Sequence, residues 1–145
     1  MTQRHSLQND RIMLVTTNVQ DRASVFHDSA CARAAVEALY KAQEIRLYYL
    51  YAFVVMPDHC HILLKVPMPG SISRLMLSYK RIVAFDIGKP IWQPRFHIRI
   101  PKNPLAARNY IHMNPVRAGI AEISSDYAWS SASGRWDISS LDDVN

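Results

Sequence analysis

The sequence predicts an α+β fold: an antiparallel sheet with two helices on one face and a further helix at its end. Three observations point there. Strand-like and helix-like segments follow one another as β-α-β-β-α-β and then a helix. Two of the apolar runs are separated only by Pro57-Asp58, which fits a hairpin turn. The two long polar–apolar segments keep the 3.6-residue spacing of helices that bury one side. This order is the split β-α-β, or ferredoxin-like, arrangement.

Each element has its own signature. Arg11 to Val19 is rich in β-branched residues and reads as the first strand. Asp28 or Ser29 suits a helix cap, and Cys31, Ala35, Ala38, Leu39 and Ala42 then recur on one stripe to about Gln43. Leu47 to Met56 is a long apolar and aromatic strand, and His59 to Val66 returns beside it. Ser71 can cap a helix through about Phe85, with Ile72, Leu75, Met76, Tyr79, Ile82 and Val83 on its buried side. Gly88-Lys89-Pro90 ends it. Ile91 to Ile100 forms the last strand. Pro104 opens a final helix expected to run to about Asn114, where Pro115 stops it.

The chain has 145 residues, which fits a single domain over 1–145, with loose ends expected at 1–9 and 137–145. Hydrophobic residues make up 49 % and charged residues 20 %, a composition that can bury a core and excludes general disorder. The net charge is +5, and three of the acidic residues, Asp137, Asp142 and Asp143, lie in the last nine positions. The remaining body is strongly basic and suits a polyanionic partner, nucleic acid first. Two cysteines, Cys31 and Cys60, make no disulfide framework. The polar start, and the lack of any run of about 18 apolar residues, argue against a signal peptide or membrane span. A cytoplasmic location is the expectation.

The most informative stretch is Met56-Pro57-Asp58-His59-Cys60-His61-Ile62-Leu63-Leu64. In a strand, alternate side chains share a face, so His59 and His61 point together and Cys60 points away. Paired imidazoles are candidate ligands for a metal ion. Further on, Tyr110-Ile111-His112-Met113-Asn114-Pro115 places Tyr110 and Asn114 at i and i+4 on one helix face, while His112 turns elsewhere and reads as surface.

These residues resemble the single-tyrosine HUH transposases, and most closely the REP-associated tyrosine transposases. The resemblance is carried by Ala52 to Leu64, Tyr79-Lys80-Arg81, Ile91 to Phe96, Tyr110 to Gly119 and Asp126 to Ser131, in that order along the chain. It implies a ferredoxin-like HUH domain whose C-terminal helix carries the catalytic tyrosine. It also implies cleavage and rejoining of single-stranded DNA beside hairpins. Tyr110 would be the nucleophile, and His59, His61 and Asn114 would hold a divalent metal, Mg²⁺ or Mn²⁺. Such proteins act either as dimers that share sites or as monomers, so a homodimer is one expected state.

Two positions and one segment depart from the family's pattern. Asp58 stands where Asn is common, Cys60 stands where a bulky aliphatic is usual, and His97-Ile98-Arg99-Ile100-Pro101 replaces an acidic-aromatic stretch in a shortened segment.

The implied chemistry makes sense of the residue types. Two imidazoles and an amide add no negative charge, so a bound cation would keep its pull on phosphate. Attack by a phenol conserves the phosphodiester's energy in a 5′-phosphotyrosine link, which a 3′-hydroxyl can later reverse. Lys80, Arg81, Arg95, Arg99 and Arg117 are candidates to contact phosphate. Trp92, Phe96, Tyr127 and Trp129 could stack on bases, although for Trp92 and Trp129 core packing is the commoner role. Two other readings fit the same residues: a hairpin DNA-binding protein that does not cut, and a metal-dependent hydrolase of small phosphoesters that would not use Tyr110.

Overall fold

The structure is a computed structural model that describes residues 10–141. Strands β1 (Ile12–Val19), β2 (Tyr49–Met56), β3 (His59–Lys65) and β4 (Trp92–Arg99) alternate with helices α1 (Ser29–Ile45), α2 (Ile72–Ile87) and α3 (Pro104–Arg117). The sheet order is β2-β3-β1-β4, and every pairing is antiparallel. The expected split β-α-β sheet is therefore present, with element ends within three residues of those read from the sequence.

Local chemistry sets the helix boundaries. Asp28 caps α1 by accepting from the backbone N–H of Ala30 and Cys31. Ser71 does the same for α2 through Arg74 N–H, and Gly88 ends that helix in the left-handed region at φ 93°. Asn103 caps α3 and Pro104 follows as its first residue.

The sheet has a core on each face. Helices α1 and α2 cover one, where Val15, Phe53, Cys60, Ile62, Leu64 and Tyr79 are all buried. Helix α3 lies on the other, packing Ala107 and Ile111 against Leu14, Val54 and Leu63. A bulge between Leu50 and Ala52 turns both Tyr51 and Ala52 toward that second core, widening the seat for α3. Each fully buried aliphatic side chain such as Ile111 contributes roughly 1.5–3 kcal/mol.

Two expectations need correction. Pro115 does not stop α3, which runs on to Arg117. Proline withdraws only its own N–H, and this close to the helix end little is lost. Ala118 N–H still reaches Asn114 O at 3.0 Å. Arg117 is thereby brought two turns beyond Tyr110 on the same side of the helix.

The loose end expected at 137–145 begins later than composition suggested. Asp137 O accepts from Tyr40 Oη at 2.7 Å, Ser139 N–H donates to Leu50 O at 2.8 Å, and Leu141 packs on the second core. The rest of that end, and residues 1–9, lie outside the described residues.

The segment before it closes the outer edge of β2. Val55 N–H bonds Trp129 O at 2.8 Å, and Val54 bridges Ser130.

Candidate active site

Strand β3 presents its histidines as alternation requires. Cys60 turns into the core between the sheet and α1/α2, where it is buried beside the Tyr79 hydroxyl. His59 and His61 turn to the opposite face. Their rings lie 4.8 Å apart between centroids, at 78°. The site is thus built on the hydrogen-bonded interior of a sheet rather than on a loop, which holds it rigidly.

Each histidine is held through the same ring nitrogen. His59 Nδ1 is 2.6 Å from Asp58 Oδ1, and His61 Nδ1 is 2.8 Å from the Thr16 hydroxyl. Thr16 stands directly opposite His61 across the β1–β3 ladder, so the register itself delivers the partner. Nε2 of both rings has no hydrogen-bond partner among the described residues. A histidine whose Nδ1 is engaged and whose Nε2 is bare is oriented as a metal ligand is.

Helix α3 brings Tyr110 over the pair. Its ring meets His61 edge to face, with centroids 5.6 Å apart. Core tyrosines in this chain are treated differently: Tyr48 and Tyr79 bury their rings, Tyr127 is partly buried, and all three donate the hydroxyl to a backbone carbonyl. Tyr110 is 43 % exposed, and its hydroxyl bonds nothing among the described residues. Arg117 folds back along the helix, its guanidinium 4.5 Å from the Tyr110 ring centre and bonded to Tyr110 O. Asn114 is half-buried one turn beyond Tyr110, between it and Arg117 on the same stripe.

Guanidinium groups gather near His61. Burial, then neighbouring His59 and the guanidiniums of Arg117, Arg22 and Arg99, push the pKa of His61 down to about 4. His61 is therefore a neutral ring at physiological pH. For Asp58, partial burial opposes ionisation, but bonds from Arg22 and His59 outweigh it and hold the carboxyl below its usual range. From Ile87 to Ala121, a stretch that includes β4 and α3, the chain has no acidic residue and carries Lys89, Arg95, Arg99, Lys102, Arg108 and Arg117. A cleft of about 380 Å³ bordered by Arg99, Lys102, Asn103 and Ala106 opens where β4 gives way to α3.

Other residues singled out from the sequence lie elsewhere. Arg95 is exposed on β4, two residues before His97, which stands opposite Thr16. Lys80 and Arg81 belong to α2, which covers the opposite face of the sheet; Lys80 donates to Gln93 O at 2.6 Å. Trp92 also packs on that side, against Phe26 and Tyr79, and donates to Lys80 O. Trp129 is half-buried against the same core under Arg33.

His112 is not a surface residue as expected. Its Nε2 is 2.8 Å from Ser131 Oγ, and burial lowers its pKa. Sequence reasoning missed Arg22 and Thr16. Thr16 could have been found from strand register; nothing local to Arg22 signals its role.

The four-stranded antiparallel sheet with its three helices is the fold of a transposase. The chain belongs to the IS200-like transposase family, whose model matches residues 8–113, a range that takes in His59, His61 and Tyr110. It is 29 % identical over 130 residues to the REP-associated tyrosine transposase of Escherichia coli (strain K12), covering 86 % of this chain and 71 % of that protein. The structure of a REP-associated tyrosine transposase bound to a REP hairpin superposes with a TM-score of 0.76 at 26 % identity, over 94 % of this chain and 88 % of that one. A putative transposase of Deinococcus radiodurans R1 shares the fold, with a TM-score of 0.58 at 18 % identity over 76 % of this chain and 93 % of its own. No helix among the described residues is long and apolar enough to cross a membrane.

Proposed function

We propose that this transposase cuts and rejoins single-stranded DNA next to hairpins, with Tyr110 as nucleophile. The observation that carries this reading is the placement of Tyr110: exposed, its hydroxyl unbonded among the described residues, and its ring against His61. A tyrosine kept for packing would be buried and satisfied. The phenol oxygen attacks phosphorus, the bond from phosphorus to the 3′-oxygen breaks, and that oxygen leaves as a 3′-hydroxyl once protonated. The product is a 5′-phosphotyrosine link. In the reverse step a 3′-hydroxyl attacks the same phosphorus and releases Tyr110.

The donor set fits a divalent cation. His59 and His61 offer bare Nε2 atoms, and no group of three His, Cys, Asp or Glu side chains assembles among the described residues. The third ligand implied by the family resemblance is the Asn114 amide oxygen, one turn beyond Tyr110 on α3. A cation bound there, Mn²⁺ or Mg²⁺, would polarise the scissile phosphate; Mn²⁺ tolerates nitrogen ligands better.

The remaining roles belong to charge and position. Arg117 holds the Tyr110 ring and places a guanidinium where phosphate charge develops. Arg95 and Arg99 stand where a strand crossing β4 would meet them, and Lys80, Arg81 and Trp92 are more distant DNA-contact candidates. The hairpin bound by the related structure supports a hairpin partner here.

The deciding experiment mixes the protein with end-labelled hairpin DNA bearing single-stranded flanks, with Mn²⁺ or Mg²⁺, and resolves the products on a denaturing gel. Label shifted to protein size, and lost in Tyr110→Phe, is the expected result. Tight binding with no nick and no adduct under either metal would instead identify a hairpin-binding protein that does not cut.

A further inference from the structure

The turn after β1 adopts a conformation that side chains avoid. Asp21 and Arg22 both take left-handed backbone angles, φ 57° and 54°. For a residue with a Cβ the left-handed region is disfavoured, more so for Arg22 than for an aspartate. Such strain persists only where the surroundings enforce it, and it gathers at functional sites. Here the turn carries Arg22 to Asp58, with Nε 3.0 Å from Oδ2. The other carboxylate oxygen, Oδ1, lies 2.6 Å from His59 Nδ1.

These contacts decide where the proton of His59 sits. A carboxylate only accepts hydrogen bonds, so at 2.6 Å the proton must be on Nδ1. Arg22 Nη2 lies 3.4 Å from the same nitrogen. A guanidinium only donates, so a bond from it would require the opposite tautomer. Both cannot form. The short, charge-assisted bond outweighs a contact at the outer limit of hydrogen-bond distance. With Nδ1 protonated, a neutral ring has its lone pair on Nε2. His61 is different: its partner, the Thr16 hydroxyl, can donate or accept, so that bond orients the ring without choosing a tautomer.

We propose that Asp58, clamped by Arg22, is a positioning residue that fixes His59 in the Nδ1–H tautomer and so presents Nε2 as a preset ligand for a divalent cation. This rests on the metal-site reading of His59 and His61. An amide at position 58 could accept from Nδ1–H or donate to a bare Nδ1, leaving the choice open. The carboxylate removes that freedom. It also adds a negative charge beside a site meant for phosphate, and Arg22 offsets that charge. The carboxylate, the guanidinium and the strained turn therefore form one device.

The test has two readouts on the full chain. Long-range ¹H–¹⁵N correlation of ¹⁵N-histidine-labelled, metal-free protein reports the tautomer of each ring. Titration with Mn²⁺ alone, followed by electron paramagnetic resonance, reports affinity. In the wild type His59 is expected to show a single Nδ1–H tautomer. Asp58→Asn should mix the two forms and weaken Mn²⁺ binding modestly; Asp58→Leu should release the ring and weaken binding 10- to 100-fold. Arg22→Lys should retain the tautomer, since an ammonium can still hold Oδ2. The Asn variant keeps the test valid if the Leu variant fails to fold. A wild-type His59 in the Nε2–H form, or Mn²⁺ binding unchanged in both Asp58 variants, overturns this inference while the metal reading stands. Failure of the wild type itself to bind Mn²⁺ overturns the metal reading, and the ligand role of His59 with it.

Discussion

The rings of His61 and Tyr110 stand 5.6 Å apart and at 70° to one another within one chain. The histidines come from the sheet and the tyrosine from α3, which is seated on that same sheet through Ala107 and Ile111. The histidine pair and the tyrosine that faces it therefore come from one copy of the chain. A mixture of Tyr110→Phe with His59→Gln protein should stay inactive in the adduct assay. If copies exchanged tyrosine helices, the mixture would regain a measurable fraction of wild-type cleavage.

Docking of α3 depends on Ile111, which is fully buried. Ile111→Ala should cost about 2–5 kcal/mol of stability by leaving a cavity. Its effect on cleavage should exceed its effect on DNA binding, because it loosens the tyrosine and not the basic surface. Urea denaturation and a filter-binding assay on the same preparation check both halves.

Ser131 joins three elements through one hydroxyl. Its oxygen accepts from Phe53 N–H at 3.0 Å, lies 3.3 Å from Phe53 O, and is 2.8 Å from His112 Nε2. Ser131→Ala leaves buried groups on β2 and α3 without a partner, at an expected cost of about 1–3 kcal/mol. A melting temperature equal to wild type would show that water takes over the bonds at no loss.

Acid should destabilise the fold through two histidines. The pKa of His61 is lowered to about 4, by burial first, and that of His112 is lowered for the same reason. Between the ordinary histidine value near 6.5 and these lowered values, the unfolded chain binds protons that the folded chain does not. Stability is thus fully present above about pH 6.5 and is lost as pH falls toward 4. His61, nearly buried, contributes at most on the order of 3 kcal/mol to this loss. Urea midpoints measured from pH 7.5 to 4 should decline, and His112→Gln should make the decline shallower. A flat profile would count against both assignments.

Arg95 and Arg99 should act as phosphate contacts. Alanine at either should lower DNA affinity across sequences and make the slope of log affinity against log salt shallower by about 0.7 for single strands. Arg81→Ala, on α2, is the comparison. An equal change there would extend the DNA footprint to the helical face of the sheet.

Much of the fold was legible in the sequence. Strand and helix positions followed from apolar period and from Asp28, Ser71, Gly88 and Pro104, because caps and turns act within a few residues. The shared face of His59 and His61 followed from strand alternation alone. Pro115 misled because its effect depends on how many helical bonds lie beyond it, which a local rule does not count. His112 misled for a related reason: its helix face is defined by Ser131, nineteen residues away, in a segment with no regular pattern.

The sequence by itself determined the elements, their order and the paired histidines, since these depend on backbone preferences and period. Only the tertiary structure decided which partners meet. Thr16 reaches His61 because β1 lies between β3 and β4, Arg22 reaches Asp58 through a strained turn, and Tyr110 reaches His61 because α3 seals the second core. Those contacts join residues 36 to 49 positions apart in the chain, and what brings such distant groups together is the burial of two apolar faces, not any property of the residues that touch.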